Sequence, residues 1–380
     1  MVEENNKFNP QIIALYLPQF HPFKENNEWW GPGFTEWTNV GKAKPLFRGH
    51  NQPRVPRELN YYDLRVPEVR QQQVDLAKEA GVTAFCYWHY WFGNGKVLME
   101  DVFDDVLASG KPDFAFCLGW ANHSWYAKTW SKDAPDKLLI EQTYPGIEDA
   151  RMHFEYLLKA FKDDRYLKID GKPFLYIYDF QHLPKEYIQN FKKWTKEAGF
   201  PDLYITGNVF RTYEKKEDYL NEGANAVVYD RANYFKSENS LLHGRWYYGL
   251  YRRWRELLSV LLHRPVFLYD FRKIYHYLVT DGEKEIDQIP VILSGYDHSP
   301  RSGRKGLIYN HCTPKYFEKH CKEVLEAVKD KPEPYQIVML RSWNEWAEGN
   351  YMEPDLTYGK GFINALHNAI EDVKKESENK

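Results

Sequence analysis

Eight short runs of apolar and β-branched residues, spaced by stretches with helical punctuation, set the strongest limit on how this chain can fold. They lie at 12–17, 82–88, 113–118, 172–178, 203–206, 226–229, 290–293 and 336–340. Runs of this length read as strands buried on both faces. Between and after them the sequence predicts helices at 67–80, 97–108, 148–162, 184–198, 314–328 and 361–374. Pro67 sits at the start of the first with Gly81 at its stop, and Gly199 ends the fourth; that is the placement helix ends favour. Strands alternating with helices predict a parallel sheet covered on both faces, and eight is the number that closes a (β/α)8 barrel. The expected fold is α/β: one TIM-like (β/α)8 barrel over residues 1–380, with long insertions at about 18–66 and 231–288. A doubly wound open sheet is the alternative, but no G-x-G-x-x-G follows the first run as its fingerprint requires.

Barrel enzymes build their sites at the C-terminal ends of the strands. Just past the predicted runs stand Gln19 and His21, His89 and Tyr90, Trp120 and Asn122, Asp179, Asn208, Asp230, Asp297, and finally Glu345 with Glu348. Gln19, His21, His89, Trp120, Asn122, Asp179 and Asp230 are therefore expected to line one cleft with the Glu pair. The last run leads directly into Ser342-Trp343-Asn344-Glu345-Trp346-Ala347-Glu348-Gly349. In an extended chain, carboxylates three apart point to opposite faces. In a helical turn they share a face with Cβ atoms about 5–6 Å apart, near the roughly 5–5.5 Å between the paired carboxyls of retaining glycosidases. Trp343, Asn344 and Trp346 join the candidate site, because an indole offers a sugar a flat apolar face and one N–H donor. The alternative is a solvated surface turn. Glu36 and Trp37 of the first insertion are further candidates; a loop acid such as Glu36 equally often bonds its own backbone. Asp297 and Arg301 can hold sugar hydroxyls or simply pair with each other. A lone histidine such as His21 or His89 is more often a satisfied core or loop residue.

Composition narrows the function. Trp 13 and Tyr 29 exceed what packing needs, and a net charge of −3 supplies no electropositive field to recruit nucleic acid. The sequence starts polar and acidic, which is no secretory signal, and no run approaches the ~18 apolar residues of a spanning helix. Cys86, Cys117, Cys312 and Cys321 show no C-x-x-C spacing, and Cys86 and Cys117 fall in apolar runs as buried thiols. A cytoplasmic location is the simplest expectation. No H-E-x-x-H or Cys/His spacing calls for a metal, and neither a G-x-x-x-x-G-K-[ST] loop nor a G-x-S-x-G elbow is present, so no cofactor is expected. In the second insertion Tyr247, Leu250, Tyr251, Trp254, Leu257, Leu258 and Leu261 recur at helical spacing, with Arg252, Arg253 and Arg255 interleaved. A basic amphipathic helix near 245–263 can meet a membrane surface or a partner; alternatively it packs its apolar side on the barrel.

Trp343-Asn344-Glu345-Trp346-Ala347-Glu348-Gly349, followed by Met352-Glu353-Pro354, resembles the NEWxEG…EP signature of the endo-α-mannosidase family of glycoside hydrolases (family 99-like), with Ala347 where that family has His. The chain is more closely similar to the WbsX-type proteins of polysaccharide gene clusters. That likeness extends through Leu17-Pro18-Gln19-Phe20-His21-Pro22, Glu28-Trp29-Trp30-Gly31, Gly33-Phe34-Thr35-Glu36-Trp37-Thr38-Asn39-Val40 and Tyr61-Tyr62-Asp63-Leu64. It continues in Phe116-Cys117-Leu118-Gly119-Trp120-Ala121-Asn122 and Ile140-Glu141-Gln142-Thr143-Tyr144. The resemblance implies an enzyme acting on an oligosaccharide or polysaccharide. By the endo-mannosidase likeness Glu348 is the acid/base, and Glu345 deprotonates the sugar's own 2-hydroxyl, which attacks C1. The WbsX family's traditional name implies instead a glycosyltransferase of O-antigen, capsular or lipopolysaccharide biosynthesis. A third reading is a carbohydrate-binding barrel without catalysis.

Overall fold

The computed structural model describes residues 8–127, 136–210, 214–235, 248–262 and 264–379. Its centre is a nearly closed parallel barrel of nine strands: β1 Gln11–Tyr16, β2 Ala84–Trp91, β3 Ala115–Trp120, β4 Lys172–Ile177, β5 Tyr204–Val209, β6 Ala226–Tyr229, β7 Gln288–Ile289, β8 Val291–Leu293 and β9 Ile337–Arg341. Sequential strands pair from β1 through β7, and β9 lies between β8 and β1, with Gln11 opposite Ile337 and Val291 opposite Met339. The single strand expected at 290–293 is thus a strand on each side of Pro290. Proline has no N–H to give a ladder; its carbonyl instead accepts from Met339 N at 3.0 Å. The half before it serves β6 and the half after it serves β9, and the chain itself carries the circle across the gap.

Ile12, Ile13 and Ala14 of β1 and Ile337–Leu340 of β9 are all buried. Such strands are covered by helices on one side and by the barrel interior on the other, which is why they read as unbroken apolar runs. The helices are α1 Lys24–Trp30, α2 Glu36–Lys42, α3 Pro67–Ala80, α4 Glu100–Ser109, α5 Ile147–Phe161, α6 Lys185–Glu197, α7 Lys216–Asn221, α8 Tyr248–Leu262, α9 Phe271–Ile274, α10 Ser299–Ser302, α11 Pro314–Val328 and α12 Gly361–Glu378. Packing, not propensity, holds them. α11 buries Phe317, Val324 and Leu325, and Phe317 meets Phe362 of α12 with ring centroids 5.1 Å apart; each such side chain contributes about 1.5–3 kcal/mol.

The segments 18–66 and 231–288 have different anchors. The first carries α1 and α2 and is held by Trp37, which packs on Phe20 and Trp346 and donates its indole N–H to Tyr62 O at 2.8 Å. The second builds a small core of its own from Phe271, Ile274, Leu278, Tyr296, Leu307 and Tyr309, beside a parallel pair of short strands, Phe267–Asp270 and Leu307–Asn310. α8 does not pack its apolar side on the barrel. Leu250, Trp254, Leu257 and Leu261 are all more than half exposed, while Ser259 is buried and Arg255 donates to Leu268 O. Tyr247 and the side chains of Tyr251 and Arg252 lie outside the described residues. Among the described residues no helix is long and apolar enough to cross a membrane. Cys86 and Cys117 are buried side by side on β2 and β3, as free thiols.

Candidate active site

β9 delivers the chain to the C-terminal mouth of the barrel. There Asn344–Glu345 pairs antiparallel with Asn350–Tyr351, and a 3₁₀ turn, Trp346–Glu348, joins them. Side chains three apart eclipse in a 3₁₀ turn, so Glu345 and Glu348 share one side and both face a cavity of about 710 Å³. Gly349 closes the turn at φ +59°, and a Cβ there would come within 2.7 Å of the Asp297 Cβ; only glycine meets both demands. The intervening residues point the other way. Trp343 and Trp346 are fully buried, Trp346 stacks on Tyr351 at 3.8 Å, and the Asn344 amide takes Leu17 N at 2.8 Å and gives to Leu17 O at 3.0 Å. These three residues fix the turn and do not line the cavity.

Gln19, Glu36, Tyr90, Arg301, Glu345 and Glu348 line it together, with an aromatic wall of Trp30, Phe34, Trp88, Trp125, Tyr126 and Tyr178 and with His298 and Arg341. The charges are organised around Arg301. Its Nε and Nη2 reach Glu36 Oε1 at 3.0 and 2.8 Å, and its Nη1 reaches Glu348 Oε1 at 2.5 Å. Arg341 pairs with Asp230 behind it and stands 3.5 Å from Glu348 Oε2. Burial pushes the Glu348 carboxyl upward, but Arg301, His298 and Arg341 outweigh it and hold the group down at about 2. Burial and the neighbouring Glu348 charge push Glu345 well above the usual carboxylate range. Among the described residues no cluster of three or more His, Cys, Asp or Glu side chains is arranged to hold a metal ion.

The cleft expected from strand ends is not the one formed: of Gln19, His21, His89, Trp120, Asn122, Asp179 and Asp230, only Gln19 faces it. The strands run past the apolar runs, and alternation then decides the face. β2 continues to Trp91, so Trp88 and Tyr90 point into the cavity while His89 points out. There His89 Nε2 lies 2.9 Å from His153 Nε2, the ring stacks on Tyr156, and burial lowers its pKa to about 3. Trp120 likewise ends β3 facing the helices, its indole N–H on Trp91 O at 3.0 Å. Asn122 clamps the backbone of Asp179 through two 2.8 Å bonds, and the Asp179 carboxylate meets His182. His21 is buried beside Phe23, and Asn208 is buried at the end of β5. Asp230 touches the site only through Arg341.

Asp297 is a structural knot rather than a sugar ligand, and it does not pair with Arg301: it accepts from His50 at 2.8 Å, Gln52 at 2.7 Å and Ser299 N at 3.0 Å. Trp37 supports Trp346 from below. The strand-end reading passed over the aromatic wall, His298 and Arg341. Arg341 did leave a signal, as a cation directly after an apolar run. Trp88 did too, two residues before Tyr90 and hence on its face.

Architecture and mouth define a glycoside hydrolase-like TIM barrel. The structure aligns with an endo-α-mannosidase of glycoside hydrolase family 99 from Bacteroides thetaiotaomicron over 98% of this chain and 100% of that one, with a TM-score of 0.57 at 14% identity. A second solved structure, described as a glycoside hydrolase-like protein, aligns over 97% of this chain and 96% of that one, with a TM-score of 0.56 at 15% identity. Both likenesses concern the fold. The chain itself belongs to the family described as glycosyltransferase WbsX, which matches residues 12–366. Proteins described as WxcX from two strains of Xanthomonas campestris pv. campestris are 32% identical over 367 residues, covering 94% of this chain and 49% of theirs. The chain thus spans about half the length of the curated relatives it matches.

Proposed function

We propose that the protein is a carbohydrate-active enzyme that cleaves or transfers glycosidic bonds in an oligosaccharide or polysaccharide, with Glu345 and Glu348 as the reacting carboxyls. The observation that carries this reading is the turn itself: two buried glutamates, eclipsed on one side of a 3₁₀ turn, open into an aromatic-walled cavity at the catalytic end of a barrel. One carboxyl protonates the departing oxygen and the other handles the attacking group, as glycoside chemistry requires. Retaining, endo-α-mannosidase-like hydrolysis through the neighbouring 2-hydroxyl is the favoured form. Glycosyl transfer in surface-polysaccharide assembly is the second, supported by the family's description. Incubation with a panel of α-linked oligosaccharides should show bond cleavage or transfer, and Glu345→Gln and Glu348→Gln should each lower it by about 10²–10⁴-fold. Wild-type activity in both variants would remove the reading; saccharide binding with no turnover across the panel would leave a binding barrel.

We also propose that α8 lies on an anionic membrane surface. Leu250, Trp254, Leu257 and Leu261 form one solvent-facing row, flanked by exposed Arg253 and Arg264, the composition that seats a helix at a lipid interface. α8 rests on the strand Phe267–Asp270, which pairs with Leu307–Asn310, and Ile308 bridges to Asp297 beside the cavity wall. The helix therefore lies on the cavity side of the barrel, and docking would present the mouth to a lipid-linked saccharide. The protein should sediment with vesicles containing phosphatidylserine, less so with phosphatidylcholine alone or in high salt, and Trp254→Glu with Leu257→Glu should abolish it. A wild type that ignores both vesicles but dimerises through this row would replace lipid with a second copy.

A further inference from the structure

We propose that in this chain Glu345 is the proton donor and Glu348 the ionised base, the reverse of the roles that the endo-mannosidase likeness implies. The proposal rests on the carboxyl-pair reading above. Geometry separates the two glutamates. Glu348 faces every cation of the pocket floor: Arg301 at 2.5 Å from Oε1, His298 at 3.8 Å, and Arg341 at 3.5 Å from Oε2. Glu345 makes no ion pair among the described residues. Its neighbours are the phenols of Tyr90, Tyr178 and Tyr296, the Glu348 carboxylate, and the same two arginines at longer reach. Arg301 and Arg341 cannot give up their protons, and each is locked by a second acid, Glu36 on α2 and Asp230 after β6. They are fixed positive charges, so the carboxyl they touch stays an anion. Two carboxyls this close in a dry pocket do not both ionise, and the proton is left on Glu345. The opposite shifts of the two groups agree with this ordering.

The chemistry balances with these roles. As the C1–oxygen bond to the leaving group breaks, the Glu345 carboxylic acid gives that oxygen its proton. As the sugar's O2–C1 bond forms, the Glu348 carboxylate takes the 2-hydroxyl proton. In the second step water, or an acceptor hydroxyl, adds to C1 and passes its proton to the Glu345 carboxylate. The O2–C1 bond opens and O2 recovers its proton from Glu348. Both glutamates end as they began.

Two measurements test this. With aryl α-mannobiosides, Glu345→Gln should keep turnover of the 2,4-dinitrophenyl compound while losing about 10²–10⁴-fold on the 4-methoxyphenyl one, because a good leaving group needs no proton. Glu348→Gln should slow both alike. The reverse pattern overturns the role assignment and leaves the carboxyl-pair function standing; wild-type rates in both variants defeat that function itself. The second measurement needs no substrate. An infrared difference spectrum, wild type minus Glu345→Gln at neutral pH, should contain one protonated-carboxyl C=O band. Its absence, with such a band in wild type minus Glu348→Gln, also overturns the assignment.

Discussion

Replacing Arg301 by methionine is expected to lower turnover by about 10²–10³-fold, the scale of losing a preorganised charge at a reacting group. It should also move the acid limb of the pH–rate profile upward. The sign follows from the contacts. Arg301 is the largest influence holding Glu348 down at about 2, and a base works only while ionised. Without the guanidinium its pKa rises, and activity is lost below a correspondingly higher pH. Stability should fall too, since Glu36 and Glu348 would then face each other without their shared cation. The Arg301 side chain is 26% exposed, so water screens part of that loss and it should sit near ~3 kcal/mol, the low end for a broken buried pair. Arg301→Lys should restore much of the acid limb but little of the turnover, because a single ammonium cannot hold two carboxylates as a planar fork does. An acid limb unmoved in Arg301→Met would show that Arg301 does not set the state of Glu348.

Glu353→Ala should be the most destabilising single change in the region behind the site. The Glu353 carboxyl accepts from Tyr62 Oη at 2.9 Å, Gln73 Nε2 at 2.6 Å and the Trp346 indole at 2.6 Å, so it ties α3 and the first insertion to the catalytic turn. Truncation leaves three buried donors unpaired at about 1–3 kcal/mol each, hence a loss on the order of 4 kcal/mol or more. Glu353→Gln, of the same shape, should lose less. Burial raises Glu353 from 4.5 to about 7 against the pull of those donors. A carboxyl raised in the folded state binds its proton more tightly there than in the unfolded chain. Its contribution to stability is therefore complete below about 4.5 and fades as pH climbs to about 7, by roughly 3 kcal/mol in all. Urea unfolding of wild type and Glu353→Gln at several pH values between these limits checks this: the wild type should lose more stability with rising pH. Curves that stay parallel would place the Glu353 proton elsewhere.

The barrel was legible because its strands are buried on both faces. Ile337–Leu340 and Ile12–Leu15 announce themselves by composition alone, and the helices between them carry Pro67, Gly81 and Gly199 as punctuation. The carboxyl pair was legible too, since a spacing of three has a face in a turn. What the linear text withholds is parity. Whether His89 or Tyr90 looks inward depends on where β2 ends, and an apolar run that continues in aromatic residues does not mark its end. Contacts closed by the fold were equally hidden: Arg301 and Glu36 are 265 residues apart, and nothing local in either stretch names the other. Asp297 looked like a ligand because it ends a strand, yet its partners, His50 and Gln52, come from the first insertion. For α8 the periodicity revealed an apolar row but not the direction it faces.

The place of β1 between β2 and β9 sets a timetable for synthesis. Leu17 is clasped by Asn344, 327 residues further along the chain, and at ribosomal rates of about 5–20 residues per second that separation is roughly 15–65 s. Throughout that interval one edge of β1 has no neighbour, and the barrel can exist only as an open, apolar-edged arc. A nascent chain in this state is a natural client for chaperones. Because the turn bearing Glu345 and Glu348 emerges with the strand that closes the circle, no earlier fragment carries the reacting pair: the protein cannot act on saccharide before its barrel is shut.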